Sequence, residues 1–82
     1  MSALTRTQVF DTLRRNALDV VPELDPAAFA AERTLSELGC NSIDRAEIVT
    51  LTMEELGIVV PVHEFQQGYD LATLVDVMLK HA

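Results

Sequence analysis

The stretch LGCNSIDRAEIV, Leu38–Val49, places one serine where a glycine-containing approach turns into a helical run. Two readings compete for Ser42. With Asn41 it makes a good helix cap, because a short polar side chain satisfies a first-turn N–H. It also suits a phosphate ester, because a helix start offers unpaired N–H groups and partial positive charge. A turning chain leaves such a hydroxyl exposed. Local physics alone favours the cap, since most serines ahead of helices only cap. Catalysis by Ser42 itself is the weakest reading. A serine nucleophile needs a base, and nothing in the sequence places His63 or His81, its two histidines, beside it.

Outward from this stretch, Ser42 to Leu56 reads as an amphipathic helix. Ala46, Val49, Met53 and Leu56 share its expected core face, widened by Ile48. Ile43 and Leu51 lie off that arc, so Ile43 is expected to be partly exposed. Asp44 and Glu47 put acid near the positive end of the helix dipole, and Gly57 suits the end. Upstream, Thr5 to Val21 reads as another helix. Val9, Phe10, Leu13, Ala17, Val20 and Val21 fall on one arc, while Asn16 falls outside it with Gln8, Asp11, Thr12, Arg15 and Asp19. Thr5 caps the start and Pro22 marks the end.

Pro22 to Cys40 has no clean period. Ala27 to Arg33 suits a short helical turn, and Leu24, Phe29, Leu35 and Leu38 look like anchors pinning a long loop to the core. A loop of that length counts against a simple bundle unless it is functional or well packed. Ile58 to Val60 is locally strand-like, but with no partner strand it is expected to be a buried extended connector. His63 to Gln67 suits a short helix ended by Gly68. Asp70 then caps a last helix whose Leu71, Leu74, Val75, Met78 and Leu79 line one face. The expected fold is all-α: a small bundle of three principal helices plus one short helix, with a long first loop, forming a single domain over residues 1–82.

The 82 residues allow one modest core and little room for a deep pocket. An adaptor, inhibitor or carrier is therefore a better starting class than an enzyme. Thirteen acids against six bases give a net charge of −7. That excludes a basic nucleic-acid footprint and disfavours an anionic membrane surface. It favours partners with basic docking patches. The lone cysteine, Cys40, permits no intrachain disulfide. No secretory signal or transmembrane run is evident, so a cytoplasmic location is expected. With no heptad or long apolar stripe left over, a monomer is expected.

The wider pattern, ELGCNSIDRAEIVTLTMEELGIVVP, resembles the modification motif of acyl carrier proteins. Those show leucine-glycine, a variable residue, aspartate-serine-leucine, then an amphipathic helix ending in acids and an apolar position. Leu38, Gly39, Ser42, Ile43, Glu47, Glu54, Glu55 and Leu56 match. The order of elements matches over the whole chain, and the family's anchored first loop answers the objection above. The resemblance implies that Ser42 carries a 4'-phosphopantetheine arm, added from coenzyme A by a phosphopantetheinyl transferase. The arm's thiol, not Cys40, would hold the acyl group. Asn41, Ile43, Asp44, Arg45, Ala46, Glu47 and Thr50 would lie at the partner-docking surface, and the protein would be a carrier with no catalysis of its own. Asn41 departs from the usual aspartate. It caps equally well but removes one negative charge, which bears on which transferase accepts the site.

A finer resemblance lies in NSIDRAEIV followed by Met53-Glu54-Glu55-Leu56. These segments are similar to the free-standing donor carriers of polyketide β-branching cassettes. Such a carrier presents acetyl or propionyl, received from an acyl-loading or decarboxylating enzyme, to an enzyme resembling hydroxymethylglutaryl-CoA synthase. Arg45 in an otherwise acidic helix would then aid partner selection, or simply form a surface ion pair of little worth. The alternatives are a generic fatty-acid, polyketide or peptidyl carrier, an unmodified helical interaction module, and a protein that uses the Cys40 thiol. The histidines and Cys40 lack zinc-ligand spacing, and Asp44 with Glu47 reads as a solvated acidic turn rather than a divalent-ion site.

Overall fold

A computed structural model describes residues 4–66 and 68–82, apart from the side chain of Val62. Three α-helices carry the architecture: α1 (Arg6–Val20), α2 (Ser42–Leu56) and α3 (Leu71–Lys80). Single 3-10 turns interrupt the two connections, at Pro26–Ala28 and Val62–Glu64. The described residues contain no strand, only an isolated antiparallel bridge between Thr34 and Asp70.

Each helix begins where its sequence supplies an acceptor. Thr5 and Gln8 form a reciprocal capping box at α1. Asn41 and Asp44 do the same at α2. At α3 the Asp70 carboxylate accepts from both the Thr73 N–H (2.8 Å) and the Thr73 hydroxyl (2.7 Å). These bonds hold the Asp70 carboxyl below its usual range. α2 ends at Gly57, whose φ of 69° is the left-handed conformation that favours glycine.

Val9, Leu13 and Ala17 of α1 meet Leu71, Leu74, Val75 and Met78 of α3, all buried. Each large side chain removed from water contributes on the order of 1.5–3 kcal/mol. The long first loop belongs to this core. Leu24, Phe29 and Leu35 are buried, and Leu38 is half-buried against them. Phe29 meets Phe10 of α1 edge to face, with ring centroids 5.1 Å apart. Backbone bonds from Leu71 N–H to Arg33 O and from Ala72 N–H to Ala31 O, both 2.9 Å, tie the loop to the start of α3.

Several details differ from the sequence expectation. The face that α2 turns inward is led by Ile48 and Thr52, both fully buried, with Val49, Met53 and Leu56 half-buried beside them. Ala46 is exposed. Asn16 is buried, not solvated, because its amide donates to Thr52 Oγ1 at 3.1 Å. Ile58 and Val60 are buried, but Val59 between them is 84% exposed, as alternation along an extended segment dictates. The short helix expected at His63–Gln67 is a single 3-10 turn one residue earlier, and Gln67 lies outside the described residues. The loop's helical turn sits at Pro26–Ala28 because Asp25 caps it through the Ala27 N–H and Pro26 is preset for a first helical position.

Candidate functional site

Ser42 is the first residue of α2 and is exposed. Its neighbours satisfy one another. The Asp44 N–H donates to Asn41 Oδ1 at 2.8 Å, and the Asn41 N–H donates to Asp44 Oδ2 at 3.2 Å. The Arg45 N–H donates to Asn41 O at 2.9 Å. Asn41 is thus the N-cap, and the serine hydroxyl is not needed for that task. The N–H groups of Ser42 and Ile43 have no intrahelical acceptor by position. An exposed hydroxyl beside two such donors, at the positive end of a four-turn helix, fits a phosphodiester.

Around it the expected docking residues fall into two sets. Asn41, Ile43, Ala46, Glu47 and Thr50 are exposed, Ile43 to 77%. Asp44 and Arg45 are half-buried. Arg45 turns back toward the helix start, where its Nη1 donates to the Cys40 carbonyl oxygen at 3.1 Å. Cys40 itself is buried at 3% exposure. Burial pushes its thiol up, Asp44 adds to the rise, and Arg45 opposes it. A buried thiol with a raised pKa is a poor nucleophile, and Cys40 sits among the core side chains as a packing residue. Among the described residues, no group of three or more His, Cys, Asp and Glu side chains is arranged to hold a metal ion.

Beside α2 runs a groove of about 700 Å³ that the chain's small size gave no reason to expect. Arg45, Val49 and Met53 of α2 line one side, and Leu35, Phe65 and Tyr69 line others. Its walls come from α2, from the first loop and from the segment after the Val62–Glu64 turn. Sequence reasoning missed Phe65 and Tyr69 as groove walls. The available signal was that two of only four aromatic residues flank Gly68 in the α2–α3 connection. His81 lies elsewhere, its Nε2 2.9 Å from Glu64 Oε2.

Residues 11–78 match the family described as the phosphopantetheine attachment site. The chain is 36% identical over 75 residues to the polyketide biosynthesis acyl-carrier-protein AcpK of Bacillus subtilis (strain 168), covering 92% of each. It also superposes on a chain of the solved curacin biosynthetic pathway HMG synthase in complex with acetyl donor-ACP. That match has a TM-score of 0.82 at 26% identity, over 94% of this chain and 99% of the other. The family match spans most of the chain and includes the helix that Ser42 opens, so the protein belongs to the phosphopantetheine-attachment family and is an acyl carrier protein, a bearer of phosphopantetheine rather than a catalyst.

Proposed function

We propose that Ser42 is the attachment residue, and that the chain is a donor carrier presenting a short acyl thioester, of the acetyl class, to an HMG-synthase-like enzyme in polyketide β-branching. The observation that carries the donor role is the likeness, over 94% of this chain, to a structure of HMG synthase with its acetyl donor carrier. The exposed hydroxyl at the start of α2, relieved of capping duty by Asn41, supports Ser42 as the attachment point.

When bound, the arm supplies a terminal thiol that holds the acyl group as a thioester. The chain's own residues do the rest. Asn41 and Asp44 fix the helix start, so the Ser42 hydroxyl projects from a rigid element. Ile43 offers an apolar contact to a partner, flanked by Ala46, Glu47 and Thr50 on exposed helix surface. Glu47, with the overall charge of −7, steers basic partner surfaces toward α2. A phosphopantetheinyl transferase and an acyl-loading or decarboxylating enzyme would use the same face in turn.

The test is intact mass after incubation with coenzyme A, magnesium and a broad-specificity phosphopantetheinyl transferase, with Ser42→Ala alongside. One added phosphopantetheine on wild type and none on the variant is expected. The acetylated holo protein should then pass its acetyl group to an HMG-synthase-like enzyme, with Ile43→Ala slowing the transfer. Loading of Ser42→Ala would move the attachment site. Efficient loading with no acetyl transfer to any such enzyme would leave a generic carrier.

A further inference from the structure

Arg45 is the one lysine or arginine between Arg33 and Lys80. It follows Ser42 by three residues on α2, so the two side chains are neighbours one turn apart. Its half-buried guanidinium is drawn toward the loop end by the Cys40 carbonyl. That bond uses one of five donors, leaving others beside residues 40–42. The same region carries a negative charge, because the Asp44 carboxylate is engaged with the Asn41 N–H. Asp44 and Arg45 act on the Cys40 thiol with opposite signs, which places both charges within electrostatic reach of the loop–helix junction. A phosphodiester on Ser42 adds a second negative charge there. Two like charges at one helix start repel unless a cation intervenes, and Arg45 stands one helical turn away.

We propose that Arg45 is a positioning residue for the arm, its guanidinium bridging the Cys40 carbonyl and the phosphodiester on Ser42. This rests on Ser42 being the attachment residue. A planar guanidinium serves two acceptors at once, as a lysine ammonium at this position does less well. The bridge offsets Asp44 and clamps loop to helix. Because Arg45 also lines the groove with Val49 and Met53, the arm leaves Ser42 on the groove side of α2. The arginine in this acidic helix is therefore assigned to the carrier's own arm, not to a partner's surface.

The experiment compares apo and holo forms of wild type, Arg45→Gln and Arg45→Lys, each holo form verified by intact mass. Loading should raise the wild-type melting temperature by roughly 4–8 °C and shift less at high salt. The gain should fall below half of that in Arg45→Gln, with Arg45→Lys between. The phosphodiester 31P resonance should differ between holo wild type and holo Arg45→Gln. Equal gains and equal 31P shifts in fully loaded proteins would overturn the inference while leaving Ser42 in place. If no mass is added to wild type, the attachment reading fails and takes this inference with it. Should apo Arg45→Gln prove unfolded, the 31P comparison of wild type with Arg45→Lys decides, identical resonances counting against the bridge.

Discussion

Asn16 on α1 donates its amide to the hydroxyl oxygen of Thr52 on α2, 3.1 Å away, and both residues are buried. The Thr52 hydroxyl donates in turn to Ile48 O at 2.8 Å. No buried side-chain nitrogen or oxygen among the described residues lacks a partner. An aliphatic core offers few features that fix one helix against another, and this chain of bonds does so. α2 is thereby held at a set rotation about its axis. Ile48 and Thr52 face in, and the Ile43–Glu47 surface faces out.

Breaking this pair from one side should cost more than removing it whole. Thr52→Val leaves the Asn16 amide buried without an acceptor, a penalty of about 1–3 kcal/mol. Asn16→Leu leaves the hydroxyl bonded to Ile48 O and should cost less. The double variant Asn16→Leu/Thr52→Val should be more stable than the sum of the single losses implies, by about 0.5 kcal/mol or more. A double-mutant cycle from urea unfolding measures this. Strict additivity would show that the two side chains do not interact.

The same pair marks the limit of what the sequence discloses. α1 and α3 are legible because their buried positions are apolar and recur at helical spacing, as Leu13, Ala17, Leu74 and Met78 illustrate. α2 is legible as a helix but not in its rotation. A buried threonine partnered by a buried asparagine looks, in sequence, like two surface residues. Ala46 reads as inward-facing in sequence for the complementary reason, since a small apolar residue is at home on either side, and it is exposed. The attachment role proposed for Ser42, and the docking face proposed around it, come from resemblance to a family motif and not from any local pattern. The groove was not legible, because its walls come from the first loop and from Phe65 and Tyr69, whose spacing from α2 no local pattern encodes. The Arg45 bond to Cys40 O was equally hidden, because a backbone carbonyl has no letter of its own.

Acid should weaken the fold partly through Glu64. Its hydrogen bond with His81 holds the carboxyl below its ordinary range, against some opposing burial, with the charges of His81 and Lys80 assisting. A depressed folded pKa means that the unfolded chain takes up a proton first as pH falls. The contribution is therefore complete above the ordinary carboxylate pKa of 4.5 and is lost as pH drops through the lower folded value. Since this contact ties the Val62–Glu64 turn to the end of α3, His81→Gln should lower the urea midpoint at about pH 6 and flatten its decline toward about pH 3. An unchanged slope in His81→Gln would show that Glu64 is not a source of acid sensitivity.

Two thiols in the loaded protein should differ sharply in reactivity, and the difference separates the carrier from a thiol-dependent protein. Cys40 is 3% exposed, and its pKa is raised by burial and by Asp44, so its thiolate is both scarce and screened. The arm's thiol, at the end of a flexible chain, meets neither restriction. In the folded apo protein Cys40 should react with an aromatic disulfide reagent at least about tenfold more slowly than a free thiol, approaching the free rate only on unfolding. Loading should add one fast-reacting thiol and leave the slow one in place. Cys40→Ala should load and accept an acyl group like wild type, with a stability loss set by the small cavity it leaves. Rapid labelling of Cys40 in the folded apo protein, or failure of Cys40→Ala to carry an acyl group once loaded, would mean that the buried sulfur takes part in the chemistry after all.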